Sequence, residues 1–213
     1  MNDDAPTLEI DGARATIRLN RPAQHNRIDP ADIPKLQAHL DAVEADEAVR
    51  LLVLTGSGTS TFSSGYTIEA ILTRLDDSFQ DLLGRVERFP KPTLCALNGS
   101  AYGGGVDLAM CCDVRIGVHG SRMFVPAARF GLHYHPDGIR RCVQRVGPVV
   151  AKQVFMMGQT LDAQAMLRVG FLSELVAPEG LSSSVEAHLR ALLECEPSVV
   201  ASCSFMAKLV REG

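Results

Sequence analysis

From residue 13 to residue 19 apolar and polar side chains alternate, with Ala13, Ala15, Ile17 and Leu19 interleaved by Arg14, Thr16 and Arg18. A period of two predicts a strand with one buried face. Residues 7–10 predict its partner, joined through Asp11-Gly12, a dipeptide favoured in type I′ hairpin turns. Arg21-Pro22 ends the strand and 23–29 reads as loop. The period then lengthens: Ile33, Leu36, Leu40 and Val43 recur at helical spacing, with Asp29-Pro30 as cap and first position. A short apolar strand follows at 49–54, then a Gly/Ser/Thr loop over 56–64. Phe79, Leu82, Leu83, Val86 and Phe89 give a second helical pattern that stops at Pro90. Residues 93–97 predict another strand, residues 113–118 and 122–125 two more. Strands alternating with helices imply an α/β fold, a largely parallel sheet covered by helices. Beyond Gly131 the pattern is mostly helical, over 139–146, 149–157, 162–169 and 181–193, with a last stretch from Pro197.

Composition narrows the class. A chain of 213 residues with 46% hydrophobic content fits one globular domain. A net charge of −4 gives no basic footprint for nucleic acid. The six cysteines (95, 111, 112, 142, 195, 203) form no C-x-x-C pair and mostly have apolar neighbours, so they read as small core residues in a reducing compartment. No metal site is predicted. No apolar run reaches the ~18 residues that suggest a membrane span, and the acidic, polar start is unlike a signal peptide. The expected location is the cytoplasm.

The chemistry centres on residues 98–113. Here three glycines, Gly103 to Gly105, separate the apolar strand from an apolar helix beginning Val106-Asp107-Leu108. A glycine run lets the backbone take positive φ and approach a ligand closely. The first N–H groups of the helix lack partners within it and suit an oxyanion. The spacing is not G-x-G-x-x-G and no G-K-[ST] follows, so a dinucleotide or phosphate loop is disfavoured.

Four further segments accompany this loop: Arg21-Pro22 with Asn26, Phe62-Ser-Ser-Gly65, Lys91-Pro92, and Gly158 to Gly170 with its L-D-A-Q-A-M core. In that order and spacing, with Asn98-Gly99 and the glycine triplet, the chain resembles the crotonase (enoyl-CoA hydratase/isomerase) superfamily. The resemblance implies a crotonase-like spiral of ββα units, with an acyl-CoA-binding core over 1–195. A C-terminal helical region would begin at 196 and be shorter than usual. It implies an acyl-CoA thioester substrate, coenzyme A being part of the substrate and no other cofactor needed. A homotrimer or hexamer is the family expectation. The thioester oxygen would meet the backbone N–H groups of Tyr66 and Gly104. Coenzyme A would lie along Gln24, His25 and Asn26, along Gly65, Tyr66, Thr67 and Ile68, and beside Gly103. Glu69 stands where the family often has an adenine-side lysine.

Family hydratases use two glutamates. Their positions fall on Asp107 and, in Val125-Pro126-Ala127, on Ala127. Alanine moves no proton, so water addition by two carboxylates is not available in its usual form. Other family members place an acid near residues 131–138, where Tyr134 and His135 are the candidates, with His133 and Asp137 beside them. Histidine titrates near neutral pH and can act as acid or base. Asp107, Tyr134 and His135 are thus the expected catalytic set. Hydration, isomerisation and decarboxylation all remain open, as does an acyl-CoA-binding member without turnover. Arg140 and Arg141 open a helix and read most simply as solvated residues, the alternative being that one of them meets a carboxylate or phosphate. His39, His119 and His188 read as surface positions.

Overall fold

The structure, a computed structural model, describes residues 4–67 and 77–209. Ile68 and Glu69 lie outside the described residues. Two sheets share the strands. Strands β1 (Thr7–Asp11), β2 (Arg14–Leu19), β3 (Leu51–Gly56), β5 (Thr93–Leu97), β7 (Val114–Val118) and β10 (Glu174–Val176) lie side by side in that order. Strands β4 (Thr61–Ser63), β6 (Ser100–Tyr102), β8 (Arg122–Phe124) and β9 (Leu161–Asp162) make a second, smaller sheet. From β3 to β8 the chain alternates, sending one strand to the large sheet and the next to the small one. After β4 comes helix α2 (Ser78–Glu87), and after β6 comes α3 (Gly104–Cys111). This is the expected spiral of ββα units. Neighbours from β2 to β10 in the large sheet pair in parallel; among the described residues, only β1–β2 and β8–β9 are antiparallel.

Side-chain parity sets the core. On β3 and β5, Leu52, Leu54, Cys95 and Leu97 face the main core, where α1 (Ile33–Ala45), α2 and α3 pack. Leu51, Val53, Leu94 and Ala96 face the opposite side, against Val185 and Leu189 of α6 (Leu181–Leu193). Both faces are covered, so these strands read as continuous apolar runs. Cys95, Cys111, Cys112 and Cys142 are buried free thiols, whereas Cys195 and Cys203 are exposed.

Two local expectations change. The hairpin loop is Gly12-Ala13, because Asp11 already pairs with Arg14 in the ladder. Positive φ falls on Gly12 alone, at 55°, so the turn is not type I′. The segments expected at 139–146 and 149–157 lie in α4 (Pro136–Met157), broken at Gly147, whose φ of 80° and ψ of 163° are not helical. Two further helices follow, α5 (Ala163–Arg168) and, after α6, α7 (Pro197–Leu209). Among the described residues, no helix is long and apolar enough to cross a membrane.

Several motif residues prove to be clamps on the loops between the sheets. The Asn26 side chain is buried, accepts from Arg21 N at 3.0 Å and donates to Ser57 O and Thr61 O at 2.8 and 2.7 Å. Asn98 accepts from Gly56 N at 2.9 Å and donates to Gly58 O at 2.8 Å. Lys91 donates to Val43 O at 2.8 Å, satisfying a carbonyl at the end of α1.

Candidate active site

A cavity of about 420 Å³ opens between the turn after β4, the glycine loop, and residues 125–135. Tyr66, Gly103, Gly104, Asp107, Ala127, Tyr134 and His135 all line it. Tyr66 arrives by a single parallel bridge to Ile28. Ile28 N donates to Gly65 O at 2.8 Å and Thr67 N to Ile28 O at 3.1 Å. In a parallel bridge of this kind the central residue's own N–H points to the other side of its strand, so the Tyr66 amide faces away from Ile28. Gly104 is the first residue of α3, where the helix offers its N–H no acceptor. Among the described residues neither amide has a hydrogen-bond partner.

The glycines explain how these turns meet. A Cβ on Gly65 would lie 2.5 Å from Gly104 N and Cα, and one on Gly104 would lie 3.3 Å from Tyr66 N. Gly65 also needs its φ of +82° and Gly103 its φ of +50°. The Tyr66 ring stacks on Phe79 of α2, with centroids 4.9 Å apart. Two backbone N–H groups without partners among the described residues thus lie on touching turns beside a mostly apolar cavity.

Asp107, on the first turn of α3, is 1% exposed, and its neighbours on that helix are apolar. A buried carboxylate demands a cation, which here is Arg141 on α4. Nε donates to Asp107 Oδ1 at 2.6 Å and an Nη to Oδ2 at 3.2 Å. Arg141 is 2% exposed, not solvated as its place at a helix start suggests. Its other Nη donates to Glu87 at the end of α2 at 3.0 Å, and Arg140 donates to the same carboxylate at 2.9 Å. Burial pushes the Asp107 carboxyl above the ordinary aspartate range; Arg141 opposes that shift and the Glu87 charge adds to it. Burial acts likewise on Glu87, but there Arg140 and Arg141 prevail and hold it below the usual range.

Tyr134 packs on Phe155, with centroids 4.7 Å apart, and its hydroxyl donates to Gly103 O at 3.3 Å, one residue from the Gly104 amide. Burial, with the Asp107 charge, pushes the phenol well above its ordinary value, so it stays protonated. His135 caps α4, its Nδ1 accepting from Asp137 N at 3.3 Å. His133 is exposed at the cavity wall, and Ala127 lines the wall opposite with only a methyl group.

The residues expected along coenzyme A are not all gathered here. Gln24 and His25 are exposed on a turn outside the cavity lining, His25 with a left-handed φ of 55° and its ring edge-on to Tyr102 of that lining. Asn26 has a buried side chain committed to loop carbonyls, and its backbone is engaged as well, its N–H donating to Arg21 O and its C=O accepting from Ser63 Oγ, both at 2.8 Å. Gly65 lies behind Gly104, and Thr67 is half-buried with its N–H bonded to Ile28. Sequence reasoning missed Glu87 and the burial of Arg141. The usable signal was Asp107 itself, a carboxylate inside an apolar helix that must find a cation elsewhere. Among the described residues, no group of three or more His, Cys, Asp or Glu side chains could hold a metal.

Comparison with known proteins places this arrangement. A family model described as enoyl-CoA hydratase/isomerase matches residues 9–212. The crotonyl-CoA hydratase of Syntrophomonas wolfei is 32% identical over 186 residues, covering 84% of this chain and 72% of that protein. The short-chain-enoyl-CoA hydratase of Clostridium acetobutylicum is 28% identical over 200 residues, covering 91% and 77%. A solved structure from Pseudomonas aeruginosa superimposes with a TM-score of 0.86 at 32% identity, covering 100% of this chain and 93% of that one. The chain belongs to the enoyl-CoA hydratase/isomerase family and has the crotonase fold.

Proposed function

We propose that this protein is an enzyme acting on an acyl-CoA thioester through an enolate held by the Tyr66 and Gly104 amides. The reaction is proton-shift isomerisation or decarboxylation in preference to two-carboxylate hydration. The observation that carries the reading is the pair of unpartnered N–H groups on touching turns at the cavity wall. Forming an enolate moves negative charge onto the thioester oxygen. A donor aimed at that oxygen in a dry site is worth ~3 kcal/mol, by analogy with other oxyanion holes. Asp107, raised toward neutrality by burial, is suited to accept the acyl proton. Tyr134, kept protonated, is suited to return one. Hydratase names among the relatives favour water addition. Ala127 weighs against it, since a methyl group stands where the family resemblance puts the second carboxylate.

The test is incubation with crotonyl-CoA, a 3-enoyl-CoA and methylmalonyl-CoA in deuterated water, read by mass spectrometry. Product, or deuterium at the α-carbon, is expected with one of them. Asp107→Asn and Tyr134→Phe should each slow it by roughly 10²-fold or more, the usual scale for a proton-transfer group. An unchanged rate in both would overturn the roles assigned here. The second reading, an acyl-CoA binder without turnover, draws on the engagement of both Asp107 oxygens by Arg141. It would be favoured by calorimetric binding without product or exchange. Failure to bind any CoA ester would remove both readings.

A further inference from the structure

We infer that Glu87 and Arg141 are positioning residues of this site: together they clamp the Asp107 carboxylate so that Oδ1 is anchored and Oδ2 is presented to the cavity beside Tyr134. The inference rests on the proposed role of Asp107 as the group that takes the acyl proton.

The clamp is asymmetric. Oδ1 receives the short bond, 2.6 Å from Arg141 Nε, whereas Oδ2 receives a longer one at 3.2 Å. Oδ2 is also the oxygen on the Tyr134 side. A Cβ on Gly138 would lie 2.6 Å from Asp107 Oδ2 and 2.4 Å from Tyr134 Cε1, so only a glycine lets both groups approach there. Glu87 does for Arg141 what Arg141 does for Asp107. A guanidinium is a planar fork, and fixing a second edge of it fixes its plane. With Nε and one Nη committed to Asp107, the Nη that donates to Glu87 at 3.0 Å leaves the fork one orientation. Glu87 is in turn steadied by Arg140 from the solvent side. Asp107 on α3, Glu87 on α2 and Arg141 on α4 therefore set the direction of one lone pair.

The ionisable groups around Asp107 are Arg141 and Cys142 on α4, Glu87 on α2, Cys111 on α3, and Tyr134 and His135 on the loop before α4. The first two charges act on it in opposite senses, Arg141 lowering its proton affinity and Glu87 raising it. Two substitutions should therefore shift it in opposite directions. Arg141→Gln should move the midpoint of the Asp107 carboxyl upward and Glu87→Gln should move it downward. The midpoint is read by carbon-13 NMR of labelled aspartate in the unliganded protein, with Asp107→Asn giving the assignment. That readout needs no turnover. The acid limb of the rate profile should shift likewise, and Glu87→Gln should lower kcat by roughly 10- to 100-fold with little change in KM, as expected for a misplaced reacting group.

Equal midpoints in wild type and Glu87→Gln would overturn the inference even if Arg141→Gln does not fold. Loss of thermal stability without any shift would do the same, leaving the cluster a structural tie. Opposite midpoint shifts in a protein that exchanges no substrate proton would instead retain the clamp and remove the catalytic role of Asp107.

Discussion

Gly138 sits where two candidate reacting side chains meet, and two opposing effects decide what an alanine would do there. Helix propensity favours alanine over glycine by about 1 kcal/mol. Against that, the new methyl carbon would lie well inside contact distance of Tyr134 Cε1 and Asp107 Oδ2. Overpacking of this kind costs ~1–3 kcal/mol, because ring and carboxylate must both move. The steric effect wins, since Asp107 is held by Arg141 and Tyr134 by Phe155. Gly138→Ala is expected to lower stability in urea titrations by up to about 2 kcal/mol, the difference of the two effects, and to slow turnover by more than that loss explains. At this scale the sequence showed which groups carry chemistry but not how they are held. Asp107 stood out because a carboxylate follows three glycines. Arg141, 34 residues later, looked like any basic residue near a helix start, and only the packing of α4 on α3 shows it buried against that carboxylate.

Among the elements, α4 carries the clearest conformational constraint. Its two helical segments meet at Gly147, where φ of 80° and ψ of 163° fall in a region essentially restricted to glycine. Pro148 follows, and a proline pushes the preceding residue out of the helical region. Nothing lies within 4 Å of where a Cβ on Gly147 would sit, so a substitution there meets no steric obstacle. Gly147→Ala is therefore expected to destabilise by about 1–3 kcal/mol through backbone strain alone. Equilibrium denaturation would check this, and a gain in stability would show that the break closes into one helix.

The sequence pattern found both halves of α4, along with α1, α2 and five strands of the large sheet, each long enough to display a period or an apolar run, but not the three-residue β10. It did not find the small sheet as a sheet. Strands β4, β6 and β9 have three, three and two residues, drawn from Gly/Ser-rich or loop-like stretches. Such strands are set by their neighbours in the spiral rather than by their own composition.

Across the whole molecule, the chain brings the turn after β4 and the glycine loop to one cavity and ties three helices together through Glu87, Asp107 and Arg141. That tie makes stability depend on pH. The Glu87 carboxyl is held below the ordinary glutamate range by Arg140 and Arg141. Its ion pairs therefore contribute fully above the unfolded value of ~4.3 and are lost as pH falls through the lower folded value. Asp107 acts with the opposite sign. Its folded value is raised, so just above the ordinary aspartate range the folded chain holds more protons than the unfolded one, and stability falls as pH rises through that window. Glu87→Gln removes the first dependence and, by withdrawing a charge that helps raise Asp107, weakens the second. Urea midpoints measured from pH 3 upward should therefore fall less steeply on acidification in Glu87→Gln than in wild type, although the variant is the less stable of the two at neutral pH. Parallel acid limbs in the two proteins would mean that Glu87 is not ion-paired in solution, and α2 would then owe its place beside α3 and α4 to apolar packing, with only the Asp107–Arg141 pair left to tie the other two.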